Sequence, residues 1–268
     1  MQELNDDQID TQHWDAIESL RQIDSDALWD HVSALRRAST PSVLNRTLAW
    51  CKDPDPFRRS IGVSILAQFG PDAKDHPHES KAMICSMIET EQDHEVITSL
   101  ICAVHFREVH EALKWLISLA HDPSEDIRWT VAWALPIPNG QDLKADPATL
   151  ATLMKLSVDS EPQVRDWATF SLAGCDADSP QIRSALLARL SDTDFCTRSE
   201  AAIGLAKRKE PGGIKPLADC LMSDQVGELY VQAAEMYADT RLGPALLSLK
   251  KWWDVDPELL DRAIAACS

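Results

Sequence analysis

A short motif returns several times along this chain, and its recurrence limits the fold more than any other feature. Each copy consists of an apolar helical segment, an acidic turn and a second helical segment that usually opens with arginine. Similarity at a period of roughly 30 to 40 residues is typical of repeat proteins, in which one supersecondary unit stacks on the next. The clearest copies run from His121 to Leu135, from Asp159 to Gly174 and from Ser191 to Ala206.

The second segments align on their arginine, which follows an Asp by six residues in the three clearest copies. In the same copies a small or β-branched residue lies three positions after the Arg, a small residue six and a Leu seven positions after it. Offsets of three and seven fall on one side of a helix, so they predict a buried face. The stretch from Asp53 to Leu66 fits with one residue missing from the turn. The aligned positions are Arg58, Ile97, Arg128, Arg165, Arg198 and, more loosely, Val231.

The rest of the chain is also helical in pattern, and no run of alternating β-branched residues indicates a strand. Because a single helix pair cannot bury its apolar face alone, the pairs must stack into a continuous core. We therefore predict an all-α fold, an α-solenoid of about six stacked helix pairs with atypical capping ends. The predicted organisation is one continuous domain, with an N-terminal helical cap at residues 1–40, the repeat array at 41–240 and C-terminal capping helices at 241–268.

The motif of Asp, an apolar residue, Arg, a small residue and Leu resembles the HEAT repeat, and in particular the short HEAT-like repeats of phycobilisome lyases. The resemblance covers roughly residues 41–240, and the copies at Ile97 and Val231 depart from it by lacking the Arg. It implies that the Arg reaches the turn Asp of a neighbouring repeat through a charge-assisted hydrogen bond that sets the stacking. It implies little about function, because this superfamily includes scaffolds, inhibitors, chromophore-modifying enzymes and enzymes that excise alkylated bases.

The chain is strongly acidic, with 43 Asp and Glu against 26 Lys and Arg and a net charge of −17. Such a surface repels phosphate backbones and anionic lipids and attracts positively charged partners. We therefore expect neither nucleic acid nor a membrane as a partner, although the same charge would also serve solubility alone. The absence of a signal-peptide pattern, of a membrane-length apolar run and of any CxxC pair among the seven Cys favours the cytoplasm.

Common catalytic and metal-binding motifs are missing from the sequence. His76 and His78 lie two residues apart in an acidic loop, which is a weak metal signal and more typical of a solvated loop. Cys196 lies in an acidic turn, which disfavours a reactive thiolate. We therefore predict no enzyme activity, no catalytic residue, no metal and no cofactor. The enzymatic alternatives are a HEAT-like chromophore lyase and a DNA glycosylase, and the negative charge argues against the second.

Two tryptophans interrupt positions that are otherwise polar. The positions one and two residues after the aligned Arg are expected to face solvent, so Trp129 and Trp167 would form an exposed aromatic patch on adjacent repeats. The alternative is that both side chains fill gaps between repeats. A third tryptophan, Trp133, aligns with mostly apolar residues that are expected in the core, namely Val63, Cys102, Phe170 and Ile203.

Carboxylates surround the two tryptophans in three consecutive repeats. Some should cap helix N-termini or pair with Arg, but there are more of them than these roles need. An acidic edge beside aromatic residues suits a basic protein surface, where charge sets the encounter rate and Trp contributes affinity. The predicted partner-binding residues are Trp129, Trp167, Asp122, Glu125, Asp126, Asp159, Glu161, Asp166, Asp192, Asp194 and Glu200.

The sequence thus favours a non-catalytic repeat protein that binds a basic protein and neutralises or regulates it. A toxin immunity protein that inhibits a basic nuclease is one specific version of this hypothesis. A general scaffold or adaptor is the alternative among binding proteins. The sequence makes no prediction about stoichiometry or oligomeric state.

Overall fold

The computed structural model describes residues 6–21, 26–70, 72, 75–135 and 146–268. Within these ranges the chain forms sixteen α-helices and three short 3₁₀ helices, and no β-strand. The predicted all-helical repeat fold is confirmed. The chain divides into two compact units, residues 1–135 and 136–268. Parts of the predicted N-terminal cap, residues 1–5 and 22–25, lie outside the described residues.

The first unit contains eight of these helices, four of which begin at Pro or just after an acidic residue. Pro suits the first turn of a helix, where its missing N–H leaves no hydrogen bond unmade. The helices are α1 (Asp6–Ser19), α2 (Asp26–Ala38), α3 (Pro41–Trp50), α4 (Pro56–Ala67), α5 (Pro77–Ile88), α6 (His94–Phe106), α7 (Leu113–Leu119) and α8 (Glu125–Ala134).

The described part of the second unit, residues 146–268, also contains eight α-helices. None of the helices in the described part of either unit is long and apolar enough to cross a lipid bilayer. The helices of the second unit are α9 (Pro147–Leu156), α10 (Pro162–Gly174), α11 (Pro180–Arg189), α12 (Phe195–Lys207), α13 (Ile214–Leu221), α14 (Glu228–Tyr237), α15 (Gly243–Leu249) and α16 (Pro257–Ala266).

The helices pair in chain order and stack in the same way within each unit. Each odd-numbered helix packs against the even-numbered helix that follows it, and successive even-numbered helices pack against each other. We call the even-numbered helices the second helices of their pairs. The terminal pairs, α1 with α2 and α15 with α16, follow the same rule. Stacking buries an apolar face that no pair could bury alone.

Small residues let neighbouring second helices approach closely. A Cβ atom at Gly204 of α12 would lie 2.9 Å from both Cα and Cβ of Ala173 on α10. Such distances are below any ordinary carbon contact, so a larger residue would push the two helices apart. Gly204 lies six positions after Arg198, and the residues six positions after Arg128 and Arg165, Ala134 and Ser171, are also small. The packing of α10 on α12 explains that requirement.

The acidic turn before the second helix is built alike in five repeats. An Asp or Glu side chain accepts a hydrogen bond from the backbone N–H two residues later, and that later residue is the N-cap of the second helix. The acceptor and donor residues are Asp53 and Asp55 (2.9 Å), Glu91 and Asp93 (2.9 Å), Asp122 and Ser124 (2.8 Å), Asp159 and Glu161 (3.0 Å), and Asp192 and Asp194 (3.0 Å).

The first of these turns corrects the predicted alignment. Arg59, and not Arg58, donates through Nη1 to the carbonyl oxygens of Asp53 and Pro54, at 3.0 and 2.9 Å. Arg165 makes the same two bonds to its own turn, at 3.0 and 2.9 Å. Because Arg59 follows Asp53 by six residues, no residue is missing from this turn. Because Arg58 and Arg59 are adjacent, the sequence does not show which of them aligns with Arg165. The hydrogen bonds to the turn carbonyls identify Arg59.

Candidate partner-binding surface

Asp192 is the most thoroughly engaged of the predicted binding residues. Its carboxylate accepts hydrogen bonds from Nε and Nη2 of Arg165, at 2.9 and 2.8 Å, and from Nη1 of Arg189 at 3.0 Å. Its side chain is only 3% exposed. Burial acts to raise the pKa of Asp192, but the bonds from Arg165 and from the N–H of Asp194, together with the charges of Arg165 and Arg189, hold that pKa below its ordinary value. This contact between adjacent repeats is the one that the HEAT resemblance implied.

The turns before the second helices contain four further predicted binding residues. Asp122 and Asp159 accept the backbone bonds described above, and Asp194 caps α12 by accepting from the N–H of Thr197 at 2.7 Å. Glu161 is the N-cap residue of α10 but makes no side-chain cap bond. These predicted residues therefore organise the turns, and their charges lie at the N-terminal ends of second helices, where negative charge is favourable.

Glu125 and Asp126 lie in the first turn of α8 in the first unit, and both are exposed. Their neighbour Trp129 is half-buried on the same helix. Residues three and four apart share one face of a helix, so Glu125 and Asp126 border Trp129. The structure thus groups these three predicted residues within the first unit.

The expectation that both positions after the aligned Arg face solvent is wrong in two repeats. Thr130 and Ser199 are 0% and 1% exposed. Their hydroxyls donate to the backbone carbonyls four residues earlier, Asp126 at 2.7 Å and Phe195 at 3.0 Å. Polar residues can be buried at these positions because the hydroxyl finds its partner on the same helix. Polarity alone was therefore an unreliable guide to exposure.

The expectation of a core position for the residues aligned with Trp133 is also wrong for Phe170. Phe170 is 50% exposed, and Trp133, Cys102 and Ile203 are half-buried. Only Val63 of this group is fully buried, at 0% exposure. The difference follows from the corrected register, since Val63 is four residues after Arg59 whereas Phe170 is five residues after Arg165. The fifth position lies at the edge of the buried stripe.

Trp167 and Phe170 form an aromatic pair on α10 in the second unit. Their ring centroids are 5.5 Å apart with an interplanar angle of 76°, which is an edge-to-face arrangement. Trp167 is half-buried, while Phe170 extends the pair into solvent. Partly exposed aromatic side chains, Trp above all, are enriched among interface hot spots.

Asp166 and Glu200 are half-buried carboxyl groups on the neighbouring helices α10 and α12. Burial raises the pKa of Asp166 to about 6, with the charge of Asp194 adding to the effect. Burial also raises the pKa of Glu200 to about 7, and here the charge of Asp166 adds to the effect. Among the described residues, no partner hydrogen-bonds the buried Oδ1 atom of Asp166. The two groups are thus close and poorly solvated, and no cationic side chain in the described part of the chain lowers the pKa of either.

Cys196 belongs to the same region and is exposed on α12. Burial and the charges of Asp166, Asp194 and Glu200 raise the pKa of its thiol. A thiol in such surroundings is a poor nucleophile. His76 lies 3.7 Å from Glu79 in the loop with two histidines, and the described residues contain no group of three that could hold a metal ion.

Three further residues of the second unit are at least partly exposed on the same second helices or the next one, and they were assigned no binding role from the sequence. Phe170, Ile203 and Met236 occupy the fifth position after Arg165, Arg198 and Val231. The sequence contained a pattern that could have identified them, because one large apolar residue recurs at this offset on three successive second helices. We call Asp166, Trp167, Phe170, Glu200, Ile203 and Met236 the acidic–aromatic face of the second unit.

Comparison with known families decides what kind of repeat this is. The model of HEAT repeats matches residues 96–173 and 149–238, which together span more than half of the 268 residues. The chain belongs to the HEAT-repeat family. The stretch that carries this match includes the four copies aligned on Ile97, Arg128, Arg165 and Arg198.

This HEAT-repeat protein is similar to protein YibA of Escherichia coli strain K12. The two sequences are 26% identical over 258 residues, which is 88% of this chain and 87% of YibA. The crystal structure of YibA matches 100% of this chain and 98% of its own, with a TM-score of 0.76 and 22% identity. A designed armadillo repeat protein solved in complex with the peptide (KR)4 matches 84% of this chain and 99% of its own, with a TM-score of 0.51 and 21% identity. These likenesses in structure concern the fold.

Proposed function

We propose that this HEAT-repeat protein is a non-catalytic binding protein whose partner is a basic protein. Binding takes place through acidic, tryptophan-containing surface on the second helices. The observation that carries the proposal is the pair Asp166 and Glu200, two poorly solvated carboxyl groups on neighbouring helices, with the exposed Phe170 one helical turn from Asp166. A free protein gains nothing from this arrangement, whereas a cationic side chain would relieve it.

The charge of the whole molecule supports the same partner. A net charge of −17 gives a negative field that attracts cations over distances of about one Debye length, roughly 8–10 Å in physiological salt. The first unit carries acidic and aromatic side chains of its own, with Glu125 and Asp126 beside Trp129. Charge then sets the association rate, and the indoles and Phe170 contribute most of the contact energy.

The designed armadillo protein offers a parallel of the right chemistry. It holds a peptide of alternating Lys and Arg, (KR)4, on a fold of stacked helices similar to this one. From this parallel we infer only the class of ligand for the present protein, namely a cationic peptide segment bound by helical repeats. The role of a general scaffold remains the alternative among binding functions, since repeat surfaces serve both purposes.

We also propose where the protein acts, what it does to its partner and which subtype its repeats belong to. We place the protein in the cytoplasm, and we propose that it neutralises or regulates its partner, with toxin immunity as the specific version. The short HEAT-like repeats of phycobilisome lyases remain our proposal for the repeat subtype, as a statement about repeat geometry and not about activity. Neither nucleic acid nor a membrane is a partner in this proposal.

A direct test measures binding of a labelled Lys–Arg octapeptide by fluorescence anisotropy at 50 and 300 mM salt. We expect binding that weakens as salt rises, and no binding of a Glu octapeptide. Binding of duplex DNA at low salt without binding of the cationic peptide would contradict the proposal and favour the glycosylase alternative. Co-purification from the native host, followed by mass spectrometry, then tests whether the natural partner is basic and whether its activity is inhibited.

Tryptophan variants test the aromatic part of this surface. We expect Trp129→Ala and Trp167→Ala to weaken peptide binding with little change in melting temperature. Trp14→Ala is the matched control, because Trp14 is 1% exposed and should lower the melting temperature strongly. If Trp129→Ala and Trp167→Ala behave like the control, both indoles fill gaps between helices and do not bind the partner.

A further inference from the structure

The acidic–aromatic face carries two parallel rows of side chains. Asp166 and Phe170 are four residues apart on α10, and Glu200 and Ile203 are three residues apart on α12. Residues at these spacings lie on one side of a helix, one turn apart. Each carboxyl group therefore lies one turn toward the N-terminus from an apolar side chain. On α14, Gln232 and Met236 repeat the spacing with an uncharged polar residue.

The rows run across the helices because α10 packs on α12 and α12 packs on α14. Neighbouring helix axes lie about 8–10 Å apart, so the apolar row of Phe170, Ile203 and Met236 is about two such steps long. Phe170 and Met236 are 50% and 37% exposed, and Ile203 is half-buried. A single extended or helical segment can therefore touch the whole row.

We propose that an amphipathic basic segment lies across α10, α12 and α14, with Lys or Arg side chains on Asp166 and Glu200 and apolar side chains on Phe170, Ile203 and Met236. This inference rests on the proposed function and specifies it. The two carboxyl groups attract the Lys or Arg side chains on one edge of the segment. The apolar row contacts the apolar side chains on its other edge. A purely cationic peptide satisfies only the first row.

The charges around the acidic row strengthen this argument. Among the described residues, the charged neighbours that act on the two carboxyl groups are themselves anionic, Asp194 on Asp166 and Asp166 on Glu200. Of the nearby cations on α10 to α12, Arg165 and Arg189 bond to Asp192, and Arg198 donates to the carbonyls of Asp192 and Thr193. A partner must supply the neutralising cation. Since protonation competes with it, binding should strengthen as the pH rises through 6 and 7.

The test uses two labelled dodecapeptides of equal charge, one of alternating Lys and Leu and one of alternating Lys and Ser, with the full-length protein. We expect the Lys–Leu peptide to bind at least about tenfold more tightly than the Lys–Ser peptide at pH 8. Phe170→Ser with Met236→Ser should remove this preference while leaving Lys–Ser binding unchanged. Equal affinity of the two peptides for the wild-type protein would overturn the proposal.

The acidic row is tested with Asp166→Asn combined with Glu200→Gln, which should weaken both peptides by about tenfold or more at pH 8 and flatten the pH dependence. Asp224→Asn with Asp254→Asn is the matched control, since both residues are exposed acids that are not part of the acidic–aromatic face and the change in net charge is the same. If the two double variants bind alike while both still bind the peptides, the proposed subsite is wrong and the proposed function rests on the net negative charge alone. If neither peptide binds wild type at any pH, both are wrong.

Analytical ultracentrifugation distinguishes the other possible occupant of this face, a second copy of the chain. We expect the wild-type protein and the Phe170→Ser, Met236→Ser variant to have the same mass in solution. A wild-type dimer that the variant converts to a monomer would show that the face binds itself, and it would overturn the assignment to a basic segment.

Discussion

Arg165 and Asp192 join two successive repeats through two nearly parallel hydrogen bonds, 2.9 Å from Nε to Oδ2 and 2.8 Å from Nη2 to Oδ1. The same guanidinium holds the turn before its own helix through Nη1. One side chain thus fixes both the shape of a turn and the position of the next repeat. Both side chains are shielded, with 10% and 3% exposure. Shielding strengthens a pair of this geometry and makes its disruption costly.

Removing one partner of this pair should destabilise the fold. We expect Arg165→Ala to lower the free energy of unfolding by about 2–4 kcal/mol, because Asp192 stays buried and keeps the bonds from Arg189 and the N–H of Asp194 but loses both bonds from Arg165. Urea denaturation followed by circular dichroism measures the effect. The control is Lys215→Ala, which removes an exposed pair with Asp219 and should change little. Equal effects of the two variants would contradict the role assigned to Arg165.

The corrected register of the first repeat predicts an asymmetry between two neighbouring arginines. Arg59 binds Glu91 through Nε and Nη2 at 2.7 and 3.0 Å, and its side chain is 19% exposed. Arg58 binds Glu18 and Asp53 but is 39% exposed. We expect Arg59→Ala to lower the melting temperature clearly more than Arg58→Ala does. The reverse order, measured by thermal denaturation, would restore the register first predicted from the sequence.

The acidic row should make the free protein less stable as the pH rises. The folded protein holds the protons of Asp166 and Glu200 more tightly than the unfolded chain does, because folding raises both pKa values, to about 6 and about 7. Their contribution to stability is therefore present at low pH and is lost as the pH rises from about 4 to about 7. We expect Glu200→Gln to raise the free energy of unfolding at pH 8 by about 1–2 kcal/mol.

The pH dependence of this variant provides the check. Its advantage over wild type should shrink toward pH 4, where the carboxyl group of Glu200 is protonated in both states. The variant Asp254→Asn, at an exposed acid, should show no such trend. A Glu200→Gln variant that is less stable than wild type at pH 8 would mean that the carboxylate stabilises the fold.

Periodicity predicted the helix pairs, the turns and the stacking arginine well, because each is a local pattern repeated along the chain. Alignment places residues relative to one another but does not fix how far a helix is rotated about its axis. That is why Phe170 was expected in the core and Ser199 in solvent, the reverse of their positions. The two adjacent arginines at 58 and 59 were ambiguous for a related reason, since only backbone contacts distinguish them.

A second set of arginines has a structural role that was not predicted from the sequence. Arg107 and Arg208 are 6% and 8% exposed and donate to carbonyl oxygens at the C-terminal ends of α4 and α10, among them Leu66 and Leu172. Both lie ten residues after an aligned position, Ile97 or Arg198. That offset was visible in the sequence. The sequence did not show the role of these arginines, because the carbonyl groups to which they donate belong to the preceding repeat.

Proton release on binding tests the central claim most directly, namely that a basic partner neutralises Asp166 and Glu200. Isothermal titration of the Lys–Leu peptide into the protein at pH 6.5, in two buffers of different ionisation enthalpy, measures it. Since the pKa values are about 6 and about 7, we expect release of about one proton per peptide bound. The Asp166→Asn, Glu200→Gln variant should release none. Binding to wild type without proton release, or equal release by the variant, would contradict the account.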